Sequence, residues 1–180
     1  QQQILFHRAA RRYPAAELAL EIDVAGHACG RQIRFADLDG DGIPDAAAGG
    51  YSDHLTVMDN IGSAFSPMLV HGSDVQLPGG KGNLSVAAGD LNGDGLPDVA
   101  VADAAAGANG GHAVGVQFQV AGTPGTFSAP LPLPLGPLTP RRLALADLDG
   151  DGKLDVAVAA AGTSDVQVFH QESPGNFAAP

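Results

Sequence analysis

A net charge of −11 on 180 residues argues against nucleic-acid binding, which needs clustered positive charge. The length allows one domain with a buried core, and no apolar run approaches the roughly 18–20 residues that span a bilayer. Aromatics are only 5%, Trp is absent, and 25 Gly and 13 Pro recur between short apolar runs, a composition that points to an all-β chain with tight turns.

Residues 1–14 hold Ile4-Leu5-Phe6-His7 and then Tyr13-Pro14. The first stretch resembles Gln167-Val168-Phe169-His170, and the second falls where a Phe-to-Pro element recurs, so residues 1–14 read as the second half of a preceding repeat. Arg8, Arg11 and Arg12 form a small basic cluster, read as a solvated turn, with contact to an anionic glycan or partner as the alternative. Cys29 is the single cysteine and cannot form an intrachain disulfide. His27 is close to it, but nothing else supports thiol chemistry, and Cys29 reads as a small loop or edge residue.

The next elements recur three times. Ile33-Arg34-Phe35-Ala36 leads into Asp37-Leu38-Asp39-Gly40-Asp41-Gly42-Ile43-Pro44-Asp45, and Ala46-Ala47-Ala48-Gly49 leads out. A turn at Tyr51-Ser52-Asp53-His54, a third strand at Leu55-Thr56-Val57-Met58 and Phe65-Ser66-Pro67 follow; Met68-Leu69-Val70 is a candidate fourth strand. Ser85-Val86-Ala87-Ala88 then precedes Asp90-Leu91-Asn92-Gly93-Asp94-Gly95-Leu96-Pro97-Asp98, with Val99-Ala100-Val101-Ala102 after it. A turn at 108–112, Val114-Gly115-Val116-Gln117-Phe118 and Phe127-Ser128-Ala129-Pro130 complete that unit. Leu143-Ala144-Leu145-Ala146 precedes Asp147-Leu148-Asp149-Gly150-Asp151-Gly152-Lys153-Leu154-Asp155, and Val156-Ala157-Val158-Ala159 follows. Gly162-Thr163-Ser164-Asp165, Val166-Gln167-Val168-Phe169 and Phe177-Ala178-Ala179-Pro180 end the chain. The flanking runs are strand-length and rich in small and β-branched residues, so each acidic nonapeptide reads as a hairpin connection. The nonapeptides start 53 and 57 residues apart, a spacing of propeller or solenoid units. The repeats are assigned to 15–67, 68–130 and 131–180, together one domain.

The three loops carry four, three and four Asp, which together equal the net charge; the nine other acids are balanced by nine Lys and Arg. Carboxylates at alternate positions of a tight loop can converge on one cation, and Gly at positions 4 and 6 permits the curl. The ligands predicted are Asp37, Asp39, Asp41, the Ile43 carbonyl and Asp45; Asp90, Asn92, Asp94, the Leu96 carbonyl and Asp98; and Asp147, Asp149, Asp151, the Lys153 carbonyl and Asp155. Leu38, Leu91 and Leu148, at position 2, are expected to face the core. An EF-hand requires a Glu at position 12 and flanking helices, whereas position 12 here is Ala48, Val101 or Val158, between strands. All-oxygen ligands argue against Zn²⁺, and the number of protein ligands argues against Mg²⁺. The competing reading is an acidic turn without an ion, which would leave three or four carboxylates repelling one another in each loop. Asn92 removes one charge from the second site, which is expected to bind more weakly.

The Asp-x-Asp/Asn-Gly-Asp-Gly-x-x-Asp hairpin with a following Phe-x-x-Pro resembles the FG-GAP/VCBS repeat family, the calcium-bearing blades of integrin α-subunit propellers and of many bacterial surface and secreted proteins. The first Phe-to-Pro element departs from the pattern, Phe65 and Pro67 being one residue too close. The resemblance implies a β-propeller with four-stranded blades, calcium at three sites and no catalytic residue. Three loops and a partial blade are fewer than the four to eight blades of a propeller, so a larger or multi-chain propeller is expected.

The expected function is a calcium-binding module with a structural or protein- or glycan-binding role, located in an extracellular, cell-surface or periplasmic setting. The alternatives are a subunit that self-assembles through its incomplete blade, or the non-catalytic part of a secreted lyase or hydrolase. His54 and His112, and likewise His7 and His170, occupy matching positions; they read as repeat-derived surface residues, with a metal or ligand site as the alternative. No nucleophile elbow, phosphate loop, dinucleotide fingerprint or zinc-protease helix is present.

Overall fold

The computed structural model describes residues 32–49, 54–62, 69–76, 83–103, 113–123, 125–162 and 165–180. Among them there are thirteen β-strands and no helix. The half-repeat at 1–14, Arg8, Arg11, Arg12, Cys29, the turn residues 51–53, 108–112 and 163–164, and Phe65-Ser66-Pro67 lie outside the described residues, as do His7 and His112.

Three antiparallel sheets follow one another along the chain. The first runs β1 (Gln32–Ala36), β2 (Asp45–Gly49), β3 (His54–Asn60) and β4 (Leu69–Gln76), each strand paired with the next. The second repeats that order with β5 (Asn83–Gly89), β6 (Asp98–Asp103), β7 (Ala113–Gln117) and β8 (Leu131–Pro134). The third has β9 (Thr139–Ala146), β10 (Asp155–Ala161) and β11 (Val166–Phe169), followed by a small hairpin of β12 (Gln171–Ser173) and β13 (Asn176–Phe177). The expected four-stranded blade is thus present twice; the third sheet has three strands among the described residues. The sheet unit and the sequence unit are offset by one strand, because β4 and β8 each follow a Phe-to-Pro element in sequence yet pair backwards with β3 and β7.

Each acidic nonapeptide joins the first two strands of a sheet. Its ninth residue pairs with the last residue of the preceding strand: Ala36 with Asp45, Gly89 with Asp98, and Ala146 with Asp155. The ninth Asp therefore belongs to the ladder, and positions 1–8 form the protruding loop.

The core lies between successive sheets. Leu38, Ala47 and Val57 from the first meet Val86, Val99 and Val101 from the second, with Phe127 against them. Leu91, Val114, Val116 and Leu133 from the second meet Leu143, Val156, Val158 and Phe169 from the third, with Phe118 and Phe177 against them. The first strands neighbour one another, β1 beside β5 and β5 beside β9. Small side chains let these strands approach closely: Ala87 of β5 is buried, and the buried Ser85 hydroxyl accepts the Leu143 N–H of β9 at 3.1 Å. This is a β-propeller-like stack of blades, each burying one face against the next.

Candidate metal centre

The loops fold through their own carboxylates. In the first, Asp37 Oδ1 accepts the Gly40 N–H at 2.7 Å and Oδ2 accepts Gly42 at 2.8 Å. Asp39 accepts Asp41 N–H at 3.0 Å, and Asp41 accepts Ile43 N–H at 2.7 Å. The second loop repeats this pattern with Asp90 accepting Gly93 and Gly95, Asn92 accepting Asp94, and Asp94 accepting Leu96. The third repeats it with Asp147 accepting Gly150 and Gly152, Asp149 accepting Asp151, and Asp151 accepting Lys153. The glycines at positions 4 and 6 have φ between 77° and 87° in all three loops, so the expected curl is present where a side chain would be strained.

The ninth Asp has a different task. Asp45 accepts Leu38 N–H at 2.7 Å on one oxygen and Asn60 N–H at 2.7 Å on the other. Asp98 accepts Leu91 at 2.8 Å and Gln119 at 2.8 Å; Asp155 accepts Leu148 at 3.0 Å and Gln171 at 2.9 Å. All three are buried. Each ties the loop to the end of the third strand of its own sheet, at its last residue Asn60 in the first sheet and two residues past it, at Gln119 and Gln171, in the others.

Oxygens converge on this frame. One carboxylate oxygen each from Asp37, Asp39 and Asp45 lie within 4.8 Å of one another, and so do those of Asp147, Asp149 and Asp151. In the second loop Asp90, Asn92, Asp94 and Asp98 stand at the same positions. There the Asn92 amide donates to Asp94 at 3.1 Å, a hydrogen bond where the other loops have a carboxylate pair. The carbonyls of Ile43, Leu96 and Lys153 sit at position 7 of each loop. The donor set is hard oxygen throughout, which fits a cation such as Ca²⁺.

Electrostatics separates the loops. Burial pushes the Asp98 carboxyl up to about 6, against the hydrogen bonds from Gln119 and Leu91. Burial also raises Asp45. For Asp155 desolvation is again the largest single influence and acts upward, but the hydrogen bonds from Gln171, Leu148 and His170 outweigh it and leave the group below its usual value. Lys153 holds Asp151 low through a direct contact between their side chains.

Two features escape a reading of the sequence. His170, read there as a surface residue with a metal or ligand site as the alternative, is exposed and stands beside the third loop, with Nδ1 3.2 Å from Asp155 Oδ2 and 3.8 Å from Asp149 Oδ2; the sequence did not show which loop it would join. Phe118 and Asp59 hold the equivalent places in the other repeats, so the third loop alone has this imidazole. The second feature is a clasp between repeats. The Gln119 side-chain amide and the Gly125 N–H, both from the second repeat, donate to the Leu38 carbonyl. Gln171 and Gly175 of the third repeat do the same to Leu91. The sequence signal was the shared position of Asn60, Gln119 and Gln171, at the last residue of the third strand or two residues past it.

The expectation that all three position-2 leucines face the core needs correction. Leu38 and Leu91 are fully buried, whereas Leu148 is 51% exposed. Each buried leucine is covered by the repeat that follows it, and no described repeat follows the third.

Residues 37–101 match a family model for the FG-GAP-like repeat, and residues 139–169 match one for the FG-GAP repeat. No curated protein matches the chain. The first matched region takes in the first two acidic loops and the second takes in the third loop with both of its flanking strands, so these regions are FG-GAP-type repeats.

Proposed function

We propose that the chain is a calcium-binding β-propeller module of the extracellular space, cell surface or periplasm, in which the ion staples the first hairpin of each blade. The ligands are Asp37, Asp39, Asp41, Asp45 and the Ile43 carbonyl; Asp90, Asn92, Asp94, Asp98 and the Leu96 carbonyl; and Asp147, Asp149, Asp151, Asp155 and the Lys153 carbonyl. The sequence units 15–67, 68–130 and 131–180 each carry one site. The observation that carries the reading is the convergence of Asp37, Asp39 and Asp45 oxygens within 4.8 Å on a loop already curled by its own glycines. Calcium neutralises that convergence and needs no catalytic group, so the module's role is structural and in binding a protein or glycan. Extracellular modules take Ca²⁺ with Kd of about 10⁻⁴–10⁻³ M, which suits compartments rich in calcium.

The test is calorimetric titration of Ca²⁺ into metal-free protein, with melting curves in calcium and in EDTA. At a free calcium of about 100 Kd each site contributes roughly 2.7 kcal/mol, and each kcal/mol moves Tm by roughly 2–4 °C for a chain of this size. A melting curve indifferent to EDTA defeats the proposal. The second site, with Asn92, is expected to be the weakest of the three.

A further inference from the structure

We propose that the third acidic loop and His170 together form a mixed nitrogen–oxygen site, which takes a first-row transition dication such as Zn²⁺ more tightly than calcium. This rests on the reading of the loops as cation sites and adds the ion that one of them prefers. Nδ1 of His170 and one carboxylate oxygen each from Asp149 and Asp155 all lie within 4.8 Å of one another. In the first loop the ninth Asp converges instead with Asp37 and Asp39, an all-oxygen set. Asp59 and Phe118 hold the place of His170 in the first two repeats, so no imidazole stands there.

The backbone on both sides of the imidazole is anchored. Phe169, the last residue of β11, is buried and pairs with Val156 of β10. Gln171, the first residue of β12, is buried, and its N–H donates to Asp155 Oδ1 at 2.9 Å. The His170 carbonyl accepts the Ala178 N–H at 2.8 Å. His170 is thus held against the start of β10 before any ion arrives, which lowers the ordering cost of binding. Its Nδ1 is 3.2 Å from Asp155 Oδ2 and 3.8 Å from Asp149 Oδ2. Ligand atoms about 2.1 Å from a tetrahedral Zn²⁺ stand roughly 3.4 Å apart, and the two distances bracket that value. Nδ1 can bind a metal in the neutral tautomer that carries its hydrogen on Nε2. One imidazole with two carboxylates suits zinc and its transition-metal neighbours, whereas calcium is held by oxygen. All three residues belong to the third repeat, and their convergence needs no other part of the molecule.

Calorimetric titration of Zn²⁺ into the whole chain, with and without calcium, tests the site. The wild type is expected to take zinc at the third loop more tightly than it takes calcium. His170→Asn, checked for folding by circular dichroism, is expected to weaken that step by at least about tenfold. Zinc held by the other histidines does not depend on His170, so the difference between the two proteins is the measurement. Nuclear magnetic resonance of the wild type gives a reading that needs no variant: zinc is expected to move the His170 Nδ1 signal by the large shift of a metal–nitrogen bond, and calcium is not. Equal zinc affinity in wild type and variant, zinc bound no tighter than calcium, or an Nδ1 signal unmoved by zinc overturns the inference and leaves His170 as a partner of Asp155 only. Calcium binding without zinc at His170 overturns this site alone, and zinc at His170 in a chain that binds no calcium overturns the calcium reading alone.

Discussion

The second and third acidic loops share one nonapeptide pattern, one set of internal hydrogen bonds and one pair of positive-φ glycines, yet they differ in depth. Leu91 is sealed under Phe169 and Phe177, whereas Leu148 is half exposed. Asp98 is held above its ordinary pKa and Asp155 below it. The motif fixes the shape of the loop, and the neighbouring repeat fixes its environment. A repeat in this chain is complete only when its successor is in place, as expected where each unit contacts only its neighbours.

The largest expected contrast is between two identical truncations. Leu91→Ala opens a cavity between the second and third sheets and should cost about 2–5 kcal/mol, whereas Leu148→Ala at the exposed face should stay within about 0.5 kcal/mol. Urea unfolding of both variants checks this, and equal losses would erase the distinction between the loops.

The pH dependence of the metal-free chain comes next. Asp98 binds its proton more tightly folded than unfolded, so it favours the folded state most at low pH. That advantage is lost as pH rises from about 4 to the Asp98 value of about 6. Roughly two units at 1.36 kcal/mol each make this about 3 kcal/mol. Asp155 has the opposite sign: its contribution is present above the ordinary carboxylate range and is lost as pH falls through its lowered value. Unfolding curves of calcium-free protein between pH 4 and 7 should show the Asp98 fall, and Asp98→Asn should remove it. If the variant keeps the full slope, the deep setting of the second loop is not its source.

Smaller again is the clasp. Gln171→Ala removes one donor from the Leu91 carbonyl but leaves Gly175 N–H on it at 3.2 Å, so the carbonyl is not orphaned. The loss should be about 1 kcal/mol by urea unfolding. A loss of several kcal/mol would mean that the glutamine, more than the leucine, holds the junction.

Much of this was legible in the sequence because it is local. Alternating Asp and Gly dictate a curled loop, and Ala- and Val-rich runs on either side dictate strands; the hairpin from Ala36 to Asp45 follows from those residues alone. The third strands were legible from runs such as Val166-Gln167-Val168-Phe169. Leu148 was not, since its residue type and loop position match Leu38 and Leu91, and only the presence of a successor distinguishes them. Gln119 and Gln171 were hidden for a related reason. Their partners lie 81 and 80 residues away, and a polar side chain after a strand carries no mark of a distant carbonyl. His170 was visible as a residue, but its approach to Asp155 depends on the antiparallel pairing of β10 with β11, which sets the chain just beyond Phe169 against the start of β10.

The clasp runs one way only, from each repeat back onto the loop before it, and that gives the chain a polarity during synthesis. When the first loop leaves the ribosome, its glycines and carboxylates can already shape it, but the cover over Leu38 is not closed until Gln119, 81 residues on, and then Gly125 and Phe127 emerge. Maturation therefore trails translation by one repeat, and the most recently made loop is always the unsealed one.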